Sequence, residues 1–186
     1  MILMKTGLWL LIAVVVVAVV FWAWPSGNTG TLRLQITDAP SSLNIEKALV
    51  TLSDIEVHKV ESDANNANET IGNETNFTTD WFVVVQGPLT YDLINITDIK
   101  ELLGSKDLEA GKYTQVRLNV ESAVVTIDGK EYNLSIPSNS IKLIHPFTIE
   151  TNKTTTLTLD FDANKSILKT GNNVYELQPV IKIIQE

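Results

Sequence analysis

Apolar residues follow two different rules along this chain. Residues 8–24 are 17 apolar side chains without a break, whereas from Thr31 onward apolar residues recur at every second position. Alternation of that kind places one side of a strand against a core and the other toward water. Leu32, Leu34 and Ile36 form the first such row, and Val116, Leu118 and Val120, then Tyr132, Leu134 and Ile136, then Leu157, Leu159 and Phe161 repeat it. Val50 and Leu52 have one parity and Ile55 and Val57 the other, so a bulge near Ser53-Asp54 is required if all four face inward. Asp128-Gly129, set between two alternating stretches, predicts a two-residue hairpin, whose central positions both need positive φ.

One short helix is expected within this pattern. Asp98 with Glu101 three residues on reads as a capping box, Ile99, Leu102 and Leu103 share a helical face, and Gly104 is a stop. Leu108, Gly111 and Tyr113 have the offsets of a tyrosine corner, in which a phenol hydroxyl ties a crossing connection to upstream backbone. Many short strands separated by turns favour an all-β, antiparallel Greek-key β-sandwich of about seven to ten strands.

A helix needs about 17 to 25 apolar residues to cross the hydrocarbon layer, so residues 8–24 are expected to form an N-terminal transmembrane helix. Lys5 holds the start in the cytoplasm, while Trp22 and Trp24 suit the opposite interface. Ala23 is flanked by two tryptophans and no A-x-A pattern follows, which favours a retained signal anchor. The expected organisation is therefore a signal anchor at 1–24, a linker at 25–30, and an extracytoplasmic domain at 31–186. That domain carries a polar insertion at 61–80, nearly free of aliphatic side chains. Localisation is expected at the cell membrane as a single-pass protein, with the bilayer as one partner through residues 8–24 and envelope proteins or glycans as others. Oligomeric state is left open.

Composition adds an exclusion and a modification. The net charge of −8 disfavours phosphate backbones, so no nucleic-acid partner is expected. No cysteine is present to form a disulfide, a thiolate metal site or a lipid anchor. Asn68, Asn73, Asn76, Asn95, Asn133, Asn152 and Asn164 each open an Asn-x-Ser/Thr acceptor triplet. Chance supplies about two or three such triplets at this composition, and exported loops are where they are used.

Together, Thr37-Asp38-Ala39-Pro40, Trp81, Tyr91-Asp92-Leu93, Leu108-x-x-Gly111-x-Tyr113-Thr114-Gln115-Val116-Arg117-Leu118, Ile136-Pro137-Ser138, Leu159-Asp160-Phe161-Asp162 and Leu177-x-Pro179-Val180 resemble domain-of-unknown-function family 4382. The resemblance covers residues 30–183. It implies an exported prokaryotic β-sandwich from archaeal and bacterial envelopes, often lipid- or membrane-anchored, and it supplies no catalytic residue.

Catalysis is not expected. His58 and His145 fall on different strands without ligand spacing, and no nucleophile elbow, P-loop or nucleotide fingerprint occurs. The spacing Asp160-x-Asp162-x-Asn164 resembles the first half of a calcium loop and marks those residues as candidate metal ligands. Lys165 stands where that loop has Gly and the far Glu is missing, so no cofactor is expected and a strand end with an Asx turn is the alternative. Arg117 faces outward with Gln115, Asn119 and Glu121 and is expected to pair with a neighbouring carboxylate. Trp81 is expected in the core. The favoured function is a membrane-tethered, glycosylated surface module with an interaction or structural role. The alternative is a pilin-like subunit cleaved after Gly7, or a donor-strand subunit.

Overall fold

The computed structural model describes residues 27–38, 45–60 and 80–186. The transmembrane helix expected at 8–24, most of the polar insertion, and sequons Asn68, Asn73 and Asn76 lie outside the described residues. Among those residues, no helix is long and apolar enough to cross a membrane.

The described chain is nearly all β. Its strands are β1 (Thr29–Asp38), β2 (Ile45–Lys59), β3 (Asp80–Asp92), β4 (Glu101–Glu109), β5 (Gly111–Ile127), β6 (Lys130–Ser135), β7 (Ser140–Ile149), β8 (Thr154–Phe161), β9 (Ile167–Gly171), β10 (Val174–Leu177) and β11 (Ile181–Gln185). One sheet has the order β11-β8-β1-β4; the other runs β3-β2-β5-β6-β10-β9, with β7 also paired to β5. Both sheets turn apolar residues into one core, in which Leu32 and Leu34 of β1, Ile55 and Val57 of β2, Val116 and Leu118 of β5, and Leu157 and Leu159 of β8 are fully buried.

Local rules held where the chemistry is local. The register of β2 slips between Leu52 and Asp54 against both neighbours, and Val50, Leu52, Ile55 and Val57 are all buried as the bulge requires. Asp128 and Gly129 have φ of 50° and 69° and join Ile127 to Lys130 in a tight hairpin. The Tyr113 hydroxyl donates to the Glu109 carbonyl at 2.9 Å, the tie expected of the corner.

Four expectations are corrected. The sheets are mixed rather than antiparallel: β8 runs parallel to β1, and β10 pairs parallel to β6. Strands β2 to β7 lie between β1 and β8, so no tight turn dictates an antiparallel direction for them. Eleven strands are present among the described residues, more than the expected seven to ten. No helix spans residues 98–104. Asp98 sits at φ 60°, and Glu101, Leu102 and Gly104 belong to β4, opposite Ile36, Gln35 and Leu34 of β1. One or two helical turns make few bonds for the backbone they order, and a long strand ladder outcompetes them. Leu103 is buried, but Ile99 and Leu102 are more than half exposed, since strand geometry separates residues that a helix would have brought to one face. The helical turn is instead Ala163–Ser166, opened by Asp162. Finally, Trp81 is half-buried on the outside of the larger sheet rather than in the core.

Candidate functional site

Three places gather chemistry: the acceptor asparagines, the outer face of the larger sheet, and the end where β1 begins. Asn95, Asn133 and Asn152 are exposed, in the turn after β3, on β6, and in the turn between β7 and β8. The Asn95 amide nitrogen donates to Asp92 at 2.9 Å, and Asn152 holds φ 58°, a left-handed turn conformation that Asn tolerates. Its triplet partner Thr154 is exposed as well.

Asn164 differs. It lies half-buried on the Ala163–Ser166 turn, and its triplet partner Ser166 is fully buried. The Ser166 hydroxyl accepts the Val180 N–H at 2.8 Å, and the Ser166 carbonyl accepts the Gln178 N–H at 2.8 Å. A transferase must grip both the Asn amide and the hydroxyl two residues on, and here the second group is inside the fold.

The candidate metal ligands take other work. Asp162 caps the helical turn, accepting from the Lys165 N–H at 3.0 Å and from its ammonium at 2.6 Å. The Lys165 hydrogen bond holds the Asp162 carboxyl below its ordinary value. Asp160 lies in β8 opposite Thr37 and Lys182. Among the described residues, no group of three His, Asp or Glu side chains is placed to hold a metal ion.

On the larger sheet, register brings together residues far apart in sequence. His58 lies opposite Trp81 and Gln115, and Glu56 lies opposite Val83 and Arg117. Arg117 pairs with Glu56 at 3.1 Å, and its guanidinium carbon stands 3.5 Å over the Trp81 ring. His58 tilts against the same ring at 5.0 Å and shares a 2.9 Å hydrogen bond with Thr114. The ion pair was legible from the alternation of β5. Its tryptophan roof was not, because the β2–β3 register that places Trp81 there involves two bulges.

The start of β1 is the third place, and local sequence carries no sign of it. The Asn28 carbonyl accepts the Ala110 N–H at 2.7 Å, and the Asn28 side chain accepts the Thr151 hydroxyl. The Thr29 carbonyl accepts the Asn152 N–H at 2.8 Å, and the Thr31 N–H donates to Lys153 at 2.9 Å. Gly30 is buried between these turns, and a Cβ there would come 2.1 Å from the Glu150 carbonyl oxygen. The chain therefore enters the domain clamped between the β4–β5 and β7–β8 turns.

Comparison with known proteins yields one match. The family model described as "Domain of unknown function (DUF4382)" matches residues 29–179, most of the chain, and the protein belongs to that family. No curated protein and no solved structure matches it.

Proposed function

We propose that this member of the DUF4382 family is a membrane-tethered, N-glycosylated cell-surface module, a β-sandwich without catalytic activity whose role is interaction or structural. The observation that carries the reading is the pairing of a 17-residue apolar run at 8–24 with a domain whose first strand begins at Thr29. Only residues 25–28 separate the two, a reach of about 14 Å at full extension. A domain so closely coupled to an apolar helix stays at the membrane surface. Seven acceptor triplets support an exported location, and three of the four within the described residues present exposed asparagines.

Amino-terminal sequencing and site-resolved glycopeptide mass spectrometry of protein from its own membrane fraction test the proposal. An intact Met1, with sugar at Asn95, Asn133 and Asn152 and none at Asn164, is the expected result. Full-length, unmodified protein in the cytosolic extract overturns it, and a chain beginning at Leu8 replaces the anchor with the filament alternative.

A further inference from the structure

A sheet ends at a strand with a neighbour on one side only, and the backbone groups of its other side are left for a partner. In the smaller sheet those ends are β4 and β11. β4 is bridged to β3 of the larger sheet, where the Lys106 ammonium donates to the Val83 carbonyl at 2.6 Å. Among the described residues, β11 pairs with β8 alone. The stretches outside the described residues join the fold through β1, β2 and β3, none of which borders β11.

The phase of the β8–β11 ladder determines which groups that edge presents. The Val180 carbonyl accepts the Asp162 N–H and the Glu186 N–H donates to the Thr156 carbonyl, each at 3.0 Å. Such pairs alternate in an antiparallel ladder, so Lys182 and Ile184 also turn their backbone toward β8, while Ile181, Ile183 and Gln185 turn theirs outward. Ile181 and Ile183 pack their side chains on the core, which puts Lys182, Ile184 and Glu186 together on the outer face. Ile184 is half-buried, and the two charges are exposed.

A lysine on an edge ordinarily repels a second strand. Here the pattern is its own complement. With a second β11 running antiparallel and Ile184 set against Ile184, Lys182 meets Glu186 on both sides of the centre, and Ile183 and Gln185 exchange both backbone bonds. The neighbouring registers set Lys182 against Ile184, or Ile184 against Glu186, and pair neither charge. Lys182 has no ion pair among the described residues, and Glu186 meets Lys100 in an exposed pair of the kind worth little. Asn95 and Asn133 lie off this sheet, and Asn152 lies in the turn before β8, outside the Leu157–Phe161 stretch that β11 covers.

We infer that β11 is a self-association edge, pairing antiparallel with β11 of a second copy through Ile184 on Ile184 and Lys182 on Glu186, so that two smaller sheets become one. The contact is isologous and closes as a dimer. It gives the interaction role proposed above a partner, a second copy of this chain, and does not depend on the tether.

Light scattering on the full-length protein in detergent micelles is expected to find a dimer that dissociates on dilution. Lys182→Glu sets like charges together twice and is expected to weaken the dimer about tenfold, and Lys182→Glu combined with Glu186→Lys is expected to recover it. Within one copy the double variant mismatches Asp160 and Lys100, so recovery can come only from the contact between copies. The chain has no cysteine, so one introduced thiol has only its own counterpart to join. Ile184→Cys, at the close spacing of a non-hydrogen-bonded pair, is expected to form a disulfide-linked dimer under mild oxidation. Lys182→Cys, on the same face but about 13 Å from its counterpart, is expected to stay unlinked. A protein that is monomeric at the highest concentrations overturns the inference. So does a dimer indifferent to both charge changes, or one that links as readily through residue 182 as through residue 184.

Discussion

The clamp end and the lobe of β6, β10 and β9 are built to different standards. At the clamp, two turns are tied to Asn28, Thr29 and Thr31, and the ring of Tyr113 stacks on Phe147 at 5.3 Å while its hydroxyl closes on Glu109. Lys59 reaches across to Glu109 at 2.5 Å. At the lobe, β10 is joined to β6 by only two residue pairs, Tyr175 with Leu134 and Glu176 with Ser135. β9 beyond it is a sheet edge, and Val174 leaves 52% of its surface exposed. Stability is not uniform across a domain, and regions with short ladders and few buried apolar contacts open first. The contrast teaches that this fold concentrates its cross-links where the described chain begins and joins the opposite end by shorter ladders.

The most forceful way to break that contrast is to hollow out the clamp end. Phe147→Ala removes a buried ring from beneath Tyr113 and is expected to destabilise the domain by about 3–5 kcal/mol, read by chemical denaturation. A loss under 1 kcal/mol would show that the clamp end carries no special share of the stability. Next comes Gly30→Ala, whose added methyl meets the Glu150 carbonyl and must push the β7–β8 turn away. A cost of about 1–3 kcal/mol is expected, with faster amide exchange at Asn152 and Thr31 as its local signature.

The lobe is probed by Gly129→Ala. Gly129 holds φ 69°, where an L side chain costs about 1–2 kcal/mol, and its N–H donates to Glu46 at 2.9 Å. If the lobe opens separately, exchange quickens in β6, β9 and β10 while the amides around Asn28 are unaffected. Uniform quickening across the domain would erase the distinction between the two ends.

Tyr113→Phe is the smallest and the most specific. It leaves the ring in place and removes one hydrogen bond, for an expected loss of about 0.5–1.5 kcal/mol at neutral pH. Burial, and then the Glu109 charge, push the Tyr113 phenol up to about 12 from an ordinary 10.0. The unfolded chain therefore ionises first as pH rises. The stability held by the neutral phenol is whole below about pH 10 and drains away as pH climbs toward about 12. Melting curves between pH 9 and about 12 should fall more steeply for the native protein than for the Phe variant. Parallel curves would mean that another group governs the alkaline limit.

How much was readable beforehand follows from how far each cause reaches along the chain. The bulge at Ser53-Asp54 and the hairpin at Asp128-Gly129 are legible because parity and positive φ are properties of adjacent residues. The tyrosine corner spans only the five residues from Glu109 to Tyr113. By contrast, residues 98–104 carry the local marks of a helix and are captured by β1, more than 60 residues away in sequence. Trp81 has the size of a core residue and is drawn outward by the β2–β3 register to roof Arg117. For the acceptor asparagines, the triplets can be counted from the chain. That the Asn164 triplet is closed depends on Val180 and Gln178 arriving over Ser166, which no triplet records.

Alternating apolar residues, turn dipeptides and a long apolar run determined, on their own, an all-β domain behind a hydrophobic segment, because each acts through neighbours within a few bonds. Tertiary structure alone decided the parallel β1–β8 pairing, the clamp on Asn28 and Gly30, and the burial of Ser166. The first two join segments separated by most of the chain, and the third brings Gln178 and Val180 back over Ser166 from beyond two intervening strands. Their free energy comes from contacts that exist only once both sheets have closed on a common core.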